Sequence, residues 1–302
     1  MSKILRALTA TGAAVALALS GCAGRGGDAA PGGQTGEDQR EMSIAVFNGW
    51  PEGEAVSYLW QHVLEQKGYD VTLEYVDVAP GYVGLSQGDL DVNLDVWLPL
   101  THASYMEEYG DDLVNLGAWN DNAKLTMAVN ADAPIDSLDE LAANADTFDN
   151  RIVGIEPGAG LTMAVGDAAI PQYGLEAMDF QTSSTPAMLT VLEEAMGNDE
   201  DVLVTLWRPH WAYDAYDLKD LEDPRGALGA AESMNTVARA DFEEDFPQAA
   251  TWLRNFRMES DPLYSLENAM FNAEGEVSQD DYPEIVAEWA SQNQEYVDSL
   301  TA

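Results

Sequence analysis

The segment DVWLPLTH, Asp95 to His102, ends an alternating run (LDVNLDVW, Leu90 to Trp97) with a tryptophan, a proline and one of the chain's three histidines. A second run, DVLVTLW (Asp201 to Trp207), leads into RPHW, so Trp97-Leu98-Pro99 has a counterpart in Trp207-Arg208-Pro209. Both runs have the apolar, β-branched character of strands. In open α/β sheets the carboxyl ends of strands face the ligand crevice. Two Trp-x-Pro ends, one in each half of the chain, therefore set aromatic rings on opposite walls of one cleft.

Outward from these points, short apolar runs alternate with amphipathic stretches, the signature of α/β architecture. SIAVFNGW (43–50) reads as a first strand. EAVSYLWQHVLEQKGY reads as a helix with Val56, Leu59, Trp60, Val63 and Leu64 on one face, stopped at Gly68. That face makes Trp60 a core residue and leaves His62 on the solvated side. DVTLEYVDV is a second strand, PGYVGLSQG a helix or turn, LDVNLDVW a third strand and KLTMAVN (124–130) a strand-like segment. APIDSLDELAANADTF predicts a capped amphipathic helix after Pro134 and Asp136. RIVGIEPGAGLTMAVGDAAI (151–170) then opens a second unit as strand, glycine turn and helix. From about Ala240 the pattern is mainly helical, with Trp252 and Trp289 on packing faces. The 302 residues suffice for two lobes of ordinary size.

The N-terminus, MSKILRALTATGAAVALALSGCAG, has a basic start, an apolar run and small residues around the only cysteine. That is an export leader, too short for a membrane span of ~20 residues. Leu19-Ser20-Gly21-Cys22 resembles the lipobox of bacterial lipoproteins, which implies a signal peptide over 1–21 and a lipid on Cys22. Residues 22–40 are Gly-, Pro- and polar-rich and read as a flexible tether with a reach of roughly 20 to 25 Å. The expected body is lipid-anchored at the extracytoplasmic face of the cell membrane, without spanning it. The formal charge is −41; with Lys3 and Arg6 gone, 11 basic against 54 acidic residues leave −43. Such a field disfavours nucleic acid, repels anions, tolerates a zwitterion and attracts cations.

Several catalytic patterns are absent: there is no HExxH, no Walker loop and no second cysteine. No metal or cofactor site is expected, and nothing supports an enzyme. Asp89, Asp91, Asn93 and Asp95 start like a calcium loop, but Leu94 and Leu100 stand where glycine and a bidentate glutamate are required. Alternation along a strand with one wet face accounts for these carboxylates, and parity puts Trp97 on that face. Pro157-Gly158-Ala159-Gly160 leads into a helix, so the N–H groups near Gly160, Leu161 and Thr162 form a candidate anion site. Trp50, beside Gly49 and Pro51, gives a third tryptophan at a strand end. A quaternary ammonium has no N–H to donate, and aromatic faces hold it by cation–π attraction of ~0.5 to 2 kcal/mol each.

Trp50, DVWLPLTH, GIEPGAGL and LWRPHW together resemble the glycine betaine-binding, OpuAC-like lipoproteins that serve ABC importers, over nearly the whole mature chain. The resemblance implies a two-lobed α/β Venus flytrap with two crossovers, near Ala128–Asn130 and Met234–Val237. Lobe 1 would be 41–128 and 235–302, and lobe 2 would be 129–234. Trp50, Trp97 and Trp207 would then surround the trimethylammonium, while His102 and the amides of Gly160 and Leu161 bind the carboxylate. Partners implied are a permease and its ATPase, with the receptor a monomer serving osmoprotection. Two departures bear on the pocket rim: Pro51 precedes Glu52 where the family often has an acidic residue directly after tryptophan, and Arg208 replaces a smaller uncharged residue. Proline betaine, choline or another compatible solute remain alternatives as ligand, and a lipoprotein enzyme acting on a small amine is the alternative of another class.

Overall fold

The computed structural model describes residues 40–273, 275 and 277–302. The leader, Cys22 and all of the tether except Arg40 lie outside the described residues. Nine strands form one mixed sheet: β1 (Glu41–Phe47), β2 (Asp70–Val76), β3 (Val92–Leu98), β4 (Leu113–Asn130), β5 (Arg151–Val153), β6 (Asp179–Gln181), β7 (Leu203–Arg208), β8 (Leu218–Asp220) and β9 (Glu232–Arg239). The order is β2-β1-β3-β9-β4-β7-β5-β6, with β8 on β4. The α/β expectation therefore holds.

Two parallel triplets, β2-β1-β3 and β6-β5-β7, have the same internal order. Parallel neighbours need crossover connections, and helices Pro51–Gln66, Val78–Gln87 and Thr185–Gly197 provide them. The antiparallel pair β4–β9 joins the triplets. Along β4, Leu113–Ala123 pairs with β9, and Lys124–Val129 pairs with β7. One strand thus belongs to both halves of the sheet. Trp97 and Trp207 lie on β3 and β7, which occupy equivalent places in the two triplets. The core runs through both halves, with Trp60 fully buried and set edge-on to Phe256 at 5.3 Å.

Two local expectations change. β3 has no wet face: Val92 to Trp97 are all buried, because an inner strand between β1 and β9 is covered on both sides. Its polar residues are satisfied inside, with Asn93 donating to the Ala45 carbonyl at 2.8 Å. The helix after Pro134 shrinks to one turn, Leu138–Leu141, capped by Ser137 with Glu140 rather than by Asp136. Asp149 and Asn150, in left-handed backbone that these residue types tolerate, end the following short turn. Glu232–Arg239, the segment in which the second crossover is expected, is a paired strand. Helix Gly160–Ala164 runs on through a wider π-type turn, Val165–Ala169, into Ile170–Tyr173. Pro171 accounts for the bulge, since its ring and missing N–H do not fit an α-helical interior.

Candidate functional site

Trp50, Trp97, His102, Gly160, Leu161 and Trp207, all singled out from sequence, line one cavity with about 270 Å³ of empty space. Leu125, Ile155 and Ala159 add apolar wall, and Glu52 and Thr101 add polar groups. The three tryptophans are buried. Each is held by its local chain. The turn Asn48-Gly49, with Gly49 at φ +77°, brings Trp50 back onto Phe47, and Pro51 starts the next helix at once. Trp50 stacks on His102 with centroids 5.6 Å apart and planes within 6°, and meets Trp207 at 6.4 Å and 60°. Trp207 also takes the edge of His210 at 4.7 Å.

Every indole N–H of this trio donates to a carboxyl oxygen. Trp97 donates to Asp95 Oδ1 at 2.8 Å, Trp207 to Glu52 Oε2 at 2.8 Å, and Trp50 to Glu156 Oε1. With the donors engaged, the rings offer the cavity their π surfaces. These acceptors were not read from the sequence, where 54 acidic residues hide any particular three. Only the short spacing Asp95-x-Trp97 carried a local signal.

His102 closes the turn after β3. Its backbone N–H donates to the Trp97 carbonyl, and the Trp97 N–H donates to His102 Nδ1, both at 3.0 Å. An accepting Nδ1 puts the proton of a neutral imidazole on Nε2. Burial pushes the His102 pKa down to about 3, so the ring is uncharged at neutral pH. Nε2 is buried and has no partner among the described residues. It is a spare donor in a residue that lines the cavity. Opposite, the first amides of helix Gly160–Ala164 have no acceptor within their helix. Gly160 is required by close approach, since a Cβ there would overlap the Thr101 carbonyl oxygen.

Behind the rings lie three buried acids. Burial raises Glu52 well above the carboxylate range, the charges of Asp95 and Glu267 add to this, and the Trp207 N–H opposes it. Burial raises Asp95 to about 7 against the Trp97 hydrogen bond. Glu267 is raised by burial in the same way, against the Trp211 backbone N–H. Arg208 does not line the cavity; it pairs with Asp220 at 3.0 and 3.2 Å and lies over the Tyr213 ring at 3.5 Å. Of the two departures, Glu52 therefore enters the cavity wall and Arg208 buttresses the end of β7. No cluster able to hold a metal ion occurs among the described residues.

A family model described as the substrate binding domain of ABC-type glycine betaine transport systems matches residues 40–292. Over 126 residues the chain is 36% identical to the glycine betaine/carnitine transport binding protein GbuC of Listeria monocytogenes serotype 1/2a (strain 10403S). That match spans 41% of this chain and only 41% of the Listeria protein. Lactococcal OpuAC, solved closed with glycine betaine, superposes with a TM-score of 0.79 at 27% identity, over 87% of this chain and 100% of that one. The ProX protein of Borrelia burgdorferi gives 0.79 at 28% identity, over 87% and 97%. The fold is the periplasmic-binding-protein fold of these structures. The chain belongs to the family of substrate-binding domains of ABC-type glycine betaine transport systems, which bind their substrates and do not transform them.

Proposed function

We propose that the protein is the extracytoplasmic receptor of an ABC importer, capturing glycine betaine or a related zwitterion such as proline betaine for osmoprotection. In this reading Trp50, Trp97 and Trp207 surround the quaternary ammonium, and His102 Nε2–H with the Gly160 and Leu161 amides takes the carboxylate. The observation that carries it is the pairing, in one cavity, of three indole rings whose N–H groups are engaged elsewhere with a neutral, unpartnered donor. Three cation–π contacts of ~0.5 to 2 kcal/mol each, with charge-assisted hydrogen bonds of ~1.5 to 3 kcal/mol, support roughly micromolar binding at about −8 kcal/mol. The lactococcal relative, solved with glycine betaine, supports the same ligand class.

We place the two crossovers where β4 changes partner, between Ala123 and Lys124, and just before Glu232, where β9 begins. A lipid on Cys22, an extracytoplasmic location, and a permease with its ATPase as partners belong to the same proposal. Choline is the second reading, in which the bound cation would favour ionisation of Glu52, whose side chain adds an acid to the cavity wall. Calorimetric titration of the protein with glycine betaine, choline and sulfate, repeated on Trp97→Ala, tests both. Glycine betaine is expected to bind and the variant to lose at least tenfold in affinity; sulfate binding without betaine binding would refute the cage.

A further inference from the structure

We infer that Glu156, which does not line the cavity, is a positioning residue that makes closure of the two halves and assembly of the aromatic cage one event. The inference rests on the cage reading and gives a role to residues that do not meet the ligand. Glu156 follows β5, in the second half, and is fixed there by Thr185, whose N–H and Oγ1 donate to Oε2 at 3.1 Å each. Its other oxygen, Oε1, accepts the indole N–H of Trp50 from the first half.

The contact is reciprocal. Trp207, on β7 of the second half, donates its indole N–H to Glu52 Oε2 in the first. Each half therefore contributes one ring and one carboxylate to the other. Trp97 differs, because its acceptor Asp95 lies on its own strand. Independent packing marks the same seam: a Cβ on Gly49, one residue before Trp50, would meet Pro186 Cδ at 2.9 Å, directly beside Thr185. A second tie, Tyr105 Oη donating to the Gly158 carbonyl at 2.9 Å, crosses at the neighbouring turn.

Separation of the halves breaks both indole bonds together. Trp50 and Trp207 then lose the restraint that fixes their ring planes, while Trp97 keeps its own. A ligand that needs all three rings binds the closed arrangement alone, so the free energy of the two bonds enters its affinity. Removal of one partner of a buried hydrogen bond, which leaves the other unsatisfied, corresponds to a loss of about tenfold to a hundredfold.

The test is a double-mutant cycle of Trp50→Phe and Glu156→Ala, read as the glycine betaine dissociation constant, with indole N–H exchange followed by NMR. Trp50→Phe keeps a ring and removes the donor, so it occupies the same slot even if Glu156→Ala folds poorly. Each single change is expected to weaken binding about tenfold to a hundredfold, the pair no more than the worse single, and Glu156→Gln to recover part of the loss. In the bound wild type the Trp50 and Trp207 indole protons are expected to be protected, and Glu156→Ala to expose Trp50 while leaving Trp97 unchanged. Additive losses, Gln no better than Ala, or a freely exchanging Trp50 indole in the bound protein would overturn the latch. If neither glycine betaine nor choline binds, the cage reading fails. The ligand-free spectrum then decides the latch separately, a shared exchange rate of the Trp50 and Trp207 indole protons supporting it and unequal rates overturning it.

Discussion

His102 combines three contacts that ordinarily require three residues. Its ring stacks on Trp50, its Nδ1 accepts from the Trp97 backbone, and its Nε2–H remains for the cavity. Truncation to alanine therefore disturbs the cage for any ligand and, in addition, removes one donor for a carboxylate. The two effects separate by comparing ligands. His102→Ala is expected to weaken glycine betaine by about tenfold more than it weakens choline, since a hydrogen bond to a charged group is worth ~1.5 to 3 kcal/mol. Calorimetry on both ligands checks it, and equal losses would remove His102 from the carboxylate's partners. His210 shares the chemistry but not the place: its pKa is likewise pushed down to about 3 by burial, and it packs against Trp207 outside the cavity lining.

At the scale of elements, the start of helix Gly160–Ala164 and the turn carrying Thr101 touch across the cleft with backbone against backbone. Gly160→Ala puts a methyl group into the Thr101 carbonyl, a contact that the proposed closure would make only while the halves are together. The variant is expected to keep its urea midpoint and lose at least tenfold in glycine betaine affinity; unchanged binding would mean that this approach is not part of closure. The same elements show how far sequence carried. β1, β3 and β7 and the residues at their ends were legible because apolar runs stop at Gly, Pro and Trp. The Leu113–Ala123 part of β4 and the strand character of β9 were not, since Asn115, Asn120 and Asn235 are poor strand formers and register shifts interrupt the alternation. Tertiary contacts compensate: Asn120 Nδ2 donates to the Met258 carbonyl at 2.9 Å and Asn235 Nδ2 to the Val96 carbonyl at 3.2 Å. The acceptors of the three indoles were hidden for a related reason, because two of those pairs join residues 106 and 155 positions apart in the chain.

For the whole molecule, the buried acids behind the cage tie stability to pH. Glu52, Asp95 and Glu267 hold their protons to higher pH when folded than when unfolded. The folded state therefore binds more protons, and stability falls as pH rises from the unfolded carboxylate value of ~4 through the raised folded values. His102 and His210 act oppositely, because their folded pKa of about 3 lies below the unfolded value of ~6.5. Their contribution rises with pH from about 3 to about 6.5 and is then complete, so above that point the acids act alone. Stability is expected to fall between pH 6.5 and 8 by up to ~1.4 kcal/mol per pH unit for each carboxyl still protonated. Repulsion among the surface carboxylates of a −41 chain slopes the same way, but about 1 M salt shortens its range to ~3 Å. Urea unfolding in that salt, on the protein and on Glu267→Gln, isolates the buried term. Glu267 does not line the cavity, and an amide keeps its shape without a titrating proton. The variant is expected to unfold with a shallower pH slope by one carboxyl's share; an identical slope would mean that Glu267 carries no proton in the folded protein.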